Sequence, residues 1–103
     1  MSETAEPKLS IVIPMYNEER NIPMLFQRVA SACATVKYAF EIVCVDDGSR
    51  DRTAALIREA QDKYPQIVLV QFARNFGQHA AVTAGFAHAR GEWIITLDAD
   101  LQN

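Results

Sequence analysis

Four short runs of the chain are near-continuous in Ile, Val and Leu, and the stretches between them repeat apolar residues every three or four positions. The runs at 9–13, 42–45, 67–72 and 93–97 lack the strict alternation of a strand with one wet face. They predict strands of a parallel sheet covered by helices on both sides. In the first intervening stretch Ile22, Leu25, Phe26, Val29, Cys33 and Val36 form one helical stripe, with Asn21 placed to cap it and Pro23 tolerated in the first turn. A second helix is predicted from about 53 to 64, with Leu56, Ala60 and Tyr64 on one face, Asp51 as N-cap and Pro65 as stop. A third is predicted from about 78 to 89, with Gly91 as the glycine just past its end. Ala80, Ala81, Ala84, Gly85 and Ala87 make that helix slim enough to lie close on a sheet.

The order β-α-β-α-β-α-β requires right-handed crossovers between parallel strands. It predicts an α/β fold, half of a doubly wound sheet with the first two strands adjacent. Residues 1–8 read as a loose tail and 9–103 as the folded portion. A four-stranded parallel sheet that stops here is expected to leave a face or edge uncovered, through which copies could self-associate. The chain reads as the first part of something larger.

Composition narrows the classes. At 103 residues with 50% hydrophobic content the chain is one small folded unit, not a disordered tail. A formal charge of −3 leaves no basic footprint for nucleic acid. No apolar run approaches the ~20 residues that span a bilayer, and the polar start has no secretory signal, so a cytoplasmic protein is expected. Cys33 and Cys44 are too few for a disulfide scaffold and read as buried thiols.

The chemistry gathers where the strands end. Pro14, Tyr16, Asn17 and Glu18 follow the first strand, Asp46, Asp47, Gly48 and Ser49 the second, Arg74 to Gly77 the third, and Asp98, Ala99, Asp100, Leu101 and Gln102 the fourth. In a parallel sheet these clusters share the carboxyl edge, where open α/β sheets bind ligands. Taken singly each has a bland reading. Asp46-Asp47-Gly48-Ser49 serves equally as a turn, Asp98-Ala99-Asp100 is a common chance pattern, and His79 and His88 suit a helix surface. Together, five carboxylates (Glu18, Asp46, Asp47, Asp98, Asp100) on one edge are costly unless a cation or hydrogen-bond donors meet them. A hard divalent cation shared with substrate phosphates answers that surplus. Arg74 is the cationic candidate for a base, ribose or phosphate.

The segments Ile11-Val12-Ile13-Pro14-Met15-Tyr16-Asn17-Glu18-Glu19, Val45-Asp46-Asp47-Gly48-Ser49-Arg50-Asp51 and Asp98-Ala99-Asp100 resemble the family 2 glycosyltransferases of the GT-A fold. Arg74-Asn75-Phe76-Gly77-Gln78-His79 and the run from Ile95 to Asn103 are similar to the branch that uses polyprenyl phosphates, undecaprenyl or dolichyl. The resemblance implies a nucleotide-sugar donor, a UDP-sugar ahead of a GDP-sugar. It places Pro14, Tyr16 and Glu18 in the nucleotide pocket, with Tyr16 against the base and Asn17 and Ser49 in the same donor-binding set. Asp47 is implied to accept a hydrogen bond from the base, with Asp46 beside it. Asp98 is implied to reach the ribose or diphosphate, and Asp100 with Gln102 to hold Mg²⁺ or Mn²⁺, so Asp98 and Asp100 are the implied catalytic pair. Full-length relatives are expected at the cytoplasmic face of a membrane.

The alternative is a non-catalytic remnant or partner module that binds nucleotide and turns nothing over. A phosphoacceptor receiver is excluded because strand one ends in Pro-Met-Tyr rather than an acid pair. A dinucleotide-binding dehydrogenase is excluded because no G-x-G-x-x-G follows the first strand.

Overall fold

The computed structural model describes residues 6–100. Its elements run β1 (Leu9–Met15), α1 (Ile22–Cys33), β2 (Phe40–Asp46), α2 (Thr53–Lys63), β3 (Ile67–Gln71), α3 (Gln78–His88) and β4 (Trp93–Thr96). The four strands form one sheet in the order β3-β2-β1-β4, every pair parallel. This is the α/β architecture expected from the apolar runs, with β1 and β2 adjacent.

Strand parity sorts the core into two layers. Ile11, Ile13 and Met15 of β1 share one face with Ile42 and Cys44 of β2 and Ile67 of β3. There they meet Ile22, Leu25, Phe26, Val29 and Cys33 of α1 and Ile57 of α2. Val12, Val43 and Val45 point the other way and pack with Ala81 of α3. A Cβ on Gly85 would stand 2.3 Å from Val12 Cγ1, so the small-residue face of α3 is what brings its axis down onto β1. The chain therefore steps outward from β1 to β3 over one face, then crosses by α3 to the other face and returns beside β1 as β4. The gap between the carboxyl ends of β1 and β4 is the topological switch point of the sheet.

Several details differ from the sequence expectation. Burial on both faces holds for β1 and β2 but not for β4, all four of whose residues are exposed. It is an edge strand, and α3 lies over β1 and β2 rather than over β4. α1 ends at Cys33, with Ala34 N–H on Ser31 O at 3.3 Å and Val36 N–H on Cys33 O at 3.0 Å. Those tighter closing turns carry Val36 off the stripe and to the surface. Asn21 occupies the N-cap position of α1 without a side-chain cap bond; its Nδ2 donates instead to Glu18 Oε1 at 2.7 Å. Arg52, not Asp51, is the N-cap residue of α2, although Asp51 Oδ1 accepts the Thr53 N–H at 2.9 Å. α3 leaves through an extended Ala89, so Gly91 is not a left-handed terminator. Its absent Cβ instead admits Ser10, whose Oγ would stand 2.7 Å away.

At the amino edge of the sheet the buried Glu41 carboxylate accepts Ser10 Oγ–H at 2.6 Å and Arg90 N–H at 2.7 Å on one oxygen, and Arg90 Nε–H at 3.3 Å on the other. Ser10 Oγ in turn accepts the Gly91 N–H at 2.8 Å, tying the exit of α3 to β1. Both cysteines are buried and unpaired, as expected, and burial pushes both thiols above their ordinary pKa. No helix among the described residues is long and apolar enough to cross a membrane.

Candidate functional site

A cavity of about 590 Å³ opens at the switch point. Pro14, Met15, Tyr16 and Glu18 line it from β1 and the loop beyond, Asp47 from just past β2, Asn75 and Gly77 from the approach to α3, Gln78 and Ala81 from its first turn, and Asp98, Ala99 and Asp100 from the segment after β4. Two backbone bonds set its floor. Asp47 N–H donates to Met15 O at 2.8 Å, and Leu97 N–H donates to Val12 O at 3.0 Å, which carries the β4 ladder one residue further and holds 98–100 against β1.

Asp47 is buried and heavily hydrogen-bonded. Its Oδ1 accepts the Phe76 N–H at 2.7 Å, and its Oδ2 accepts the Gly77 N–H at 2.9 Å and Asn75 Nδ2–H at 3.0 Å. Asn75 Nδ2 also donates to the Asp47 carbonyl at 3.1 Å. One carboxylate thus holds the whole loop that leads into α3. Gly48 makes this possible: at φ +71°, its position would put a Cβ 2.2 Å from the Arg74 carbonyl carbon. Asn75, Gly77 and Gln78 are lining residues that the motif reading did not assign, although they belong to the polar cluster after β3. Met15, Ala81 and Ala99 also line the cavity, but an apolar residue at a strand end carries no sequence signal for such a role.

Not every expected site residue reaches the cavity. Asp46 shares strand parity with Ile42 and Cys44 and faces α1 and α2. Its Oδ1 accepts the Ser49 N–H at 3.1 Å, and its buried Oδ2 has no partner among the described residues. Asn17 and Ser49 bond to each other's loops, outside the cavity lining. Arg74 is exposed, with its guanidinium 4.4 Å above the Phe76 ring, and does not line the cavity. His79 is exposed, and His88 Nδ1 meets Ala84 O at 2.9 Å, as helix-surface histidines do. Gln102 lies outside the described residues.

The five-carboxylate surplus is therefore distributed. Asp47 is met by three backbone and amide donors, Asp46 sits on the opposite face, and Glu18 accepts from Asn21. Asp98 and Asp100 both line the cavity wall. No group of three or more His, Cys, Asp or Glu among the described residues is arranged to hold a metal by itself. Two hard carboxylates on one wall fit a cation of the Mg²⁺ or Mn²⁺ type, which completes its shell with water and substrate phosphate oxygens.

Comparison with known proteins agrees with this arrangement. The chain is 54% identical over 96 residues to the undecaprenyl-phosphate 4-deoxy-4-formamido-L-arabinose transferase of Pseudomonas paraeruginosa, covering 92% of this chain and 28% of that protein. It is 48% identical over 97 residues to the transferase of the same name from Salmonella choleraesuis, covering 93% of this chain and 30% of the relative. It thus spans under a third of the length of the curated relatives it matches. Among solved structures, the mannosyltransferase PcManGT from Pyrobaculum calidifontis, in complex with GDP-Man and Mn²⁺, superposes with a TM-score of 0.80 at 27% identity, over 94% of this chain and 28% of that one. S. aureus TarS 1–349 in complex with UDP-GlcNAc gives a TM-score of 0.78 at 28% identity, over 90% of this chain and 26% of that one. The polyprenyl-phosphate branch suggested by the motifs is the one named in the sequence relatives. The model of glycosyl transferase family 2 matches residues 10–103, and the chain belongs to that family.

Proposed function

We propose that this chain forms the donor-binding part of a glycosyltransferase that takes a sugar from a nucleoside diphosphate sugar, UDP ahead of GDP, and gives it to a polyprenyl phosphate. The observation that carries the reading is the switch-point cavity, with Tyr16, Glu18 and Asp47 on one side and Asp98 and Asp100 on the other. Its support from relatives is the undecaprenyl-phosphate transferases in sequence, and structural neighbours holding GDP-Man with Mn²⁺ in one case and UDP-GlcNAc in another.

Each residue has a role that follows from its chemistry. The half-exposed Tyr16 ring offers a flat face to a base at the cavity mouth. Asp47 keeps lone pairs beyond the three donors it already meets, enough to accept one N–H from the base. Asp98 lies toward the ribose and diphosphate. Asp100, with Asp98 beside it, is the main protein ligand for the cation. A bound divalent cation supplies positive charge where the leaving nucleoside diphosphate gains negative charge. Transfer breaks the bond from the sugar anomeric carbon to the diphosphate oxygen and makes one to an acceptor phosphate oxygen. That oxygen is already anionic at neutral pH, so the residues present need not include a strong base.

Isothermal titration of UDP and GDP, with and without Mn²⁺, tests the reading. UDP is expected to bind in a Mn²⁺-dependent manner. Asp100→Asn keeps the size, removes the charge and is expected to weaken that binding about tenfold or more. Unchanged Mn²⁺-dependent affinity in this variant overturns the metal assignment.

A further inference from the structure

Tyr16 and Glu18 come from a loop with no regular structure, yet three successive amides of that loop are each held by a side chain from the loop after β2 or the first residue of α2. Asn17 N–H donates to Ser49 Oγ at 2.8 Å, Glu18 N–H to Thr53 Oγ1 at 2.8 Å and Glu19 N–H to Asp51 Oδ2 at 3.2 Å. Two bonds return. Arg50 N–H donates to Asn17 Oδ1 and Arg52 N–H to Glu19 Oε1, both at 2.9 Å. Side chains at 49, 51 and 53 thus reach across while the amides at 50 and 52 are taken in exchange. Asn17 sits at φ +54°, a conformation an Asn adopts more readily than most residues.

We infer that Thr53, together with Asp51 and Ser49, is a positioning residue for the donor pocket, and that Asn17 and Ser49 act through this lacing rather than by touching the donor. The inference rests on the donor-binding reading above and deepens it. Thr53 is the pivot. It is fully buried at the start of α2, its hydroxyl donates to Asp51 Oδ1 at 2.6 Å, and the same oxygen accepts the Glu18 amide. α2 is seated on the sheet through Ala54 and Ile57, so the lacing fixes Tyr16 and Glu18 relative to the rigid core and hence relative to Asp47. None of Asn17, Ser49, Asp51 and Thr53 lines the cavity. A pocket half built from an irregular loop binds tightly only if the loop is held before the ligand arrives.

The test compares wild type with Thr53→Val, which keeps the shape and removes the hydroxyl, and Thr53→Ser, which restores the oxygen. Amide hydrogen exchange and UDP titration with Mn²⁺ are read together. In Thr53→Val, the amides of 17–19 are expected to exchange at least about tenfold faster while those of β1 and β2 keep their protection, and Kd for UDP rises about tenfold. Thr53→Ser is expected to return both to near wild type. Should Thr53→Val fail to fold, Ser49→Ala removes one rung at a half-buried position, and a threefold or greater rise in Kd is expected. Wild-type Kd in folded Thr53→Val or, failing that, in Ser49→Ala overturns the inference while the donor reading stands. So does a loss of protection spread evenly over the sheet, which marks a purely structural residue. Failure of the wild-type chain to bind UDP overturns the donor reading, and the inference with it, before any variant is made.

Discussion

Glu41 and Asp47, two of the buried carboxylates in and just beyond β2, are closed in different ways. Glu41, at its amino end, is 2% exposed, and Asp47, one residue past its carboxyl end, is 3% exposed. Each takes three donors on its carboxylate, and each ties down one end of α3: Glu41 the exit at Arg90 and Asp47 the entrance at 75–77. Glu41, however, is paired with the Arg90 guanidinium at 3.3 Å, so its charge is met inside the protein. The donors to Asp47 are all neutral, and the cavity it faces also holds Glu18, Asp98 and Asp100. The nearby cation, Arg74, lies over Phe76 instead. A satisfied charge pair marks a structural clamp. A carboxylate met only by neutral donors, beside other carboxylates, is one at which donors or a cation lower the electrostatic cost. The amino edge of this sheet pairs its buried carboxylate with a cation, and the carboxyl edge lines a cavity with Glu18, Asp47, Asp98 and Asp100.

The largest effect that can break this comparison is at the clamp. Glu41→Ala strands the buried Ser10 hydroxyl and the partly buried Arg90 amide and is expected to cost about 2–3 kcal/mol. The half-exposed Arg90 side chain keeps the figure below that for a fully buried pair. For a domain of this size thermal unfolding should show a fall of roughly 10 °C or more. UDP affinity of the folded protein should change less than about twofold, because the clamp and the cavity lie at opposite sheet edges. A large loss of UDP affinity at unchanged Tm would erase the distinction between the two ends.

Asp47→Ala is expected to act on both properties at once. Freed donors at 75–77 loosen the entrance to α3, and the base loses its acceptor. Uridine and UDP should weaken together by about 1–3 kcal/mol, with a smaller Tm loss than Glu41→Ala. A loss confined to the sugar nucleotide, sparing UDP, would move Asp47 away from the base and sharpen the comparison differently: both carboxylates would then be clamps.

Much of this was legible in the chain, and the illegible part has a common cause. Apolar periodicity located α1 and the two central strands because burial on those elements is decided by their own residues. The clustering of Tyr16, Asp47, Asp98 and Asp100 followed from parallel topology alone. By contrast, the partners of Glu41 lie 31 and 49 residues away, and those of Asp47 lie 28 to 30 away. A Glu ahead of Ile42 reads simply as the polar start of a strand. The orientation of Asp46 away from the cavity is a consequence of strand parity once the strand is known to extend to 46. The apolar run itself spans only 42–45 and does not fix which way residue 46 faces. Charge alone points Arg74 at an anionic ligand, but the ring of Phe76 two residues on offers its guanidinium a partner that charge does not reveal. The exposure of β4 depends on what lies beside the sheet, which its own apolar sequence does not encode.

The smallest expected effect concerns Asp51, which belongs to neither the Glu41 nor the Asp47 network. Burial raises its pKa, but the Thr53 hydroxyl, the Thr53 amide and the Glu19 amide all donate to the carboxylate and together bring it below its ordinary 3.8. A depressed carboxylate contributes stability that is present above the unfolded value and is lost as pH falls through the folded one. The lacing of 17–19 to 49–53 should therefore be intact at neutral pH and begin to loosen only below about pH 3.8. Following the Asp51 carboxyl carbon by NMR should give a midpoint below that value, and the Glu19 and Thr53 amide shifts should move with the same midpoint. In Asp51→Asn those two amides should lose the transition. If the 17–19 amides titrate identically with and without the Asp51 carboxylate, the Asp51 hydrogen bonds do not carry the acid response of this loop.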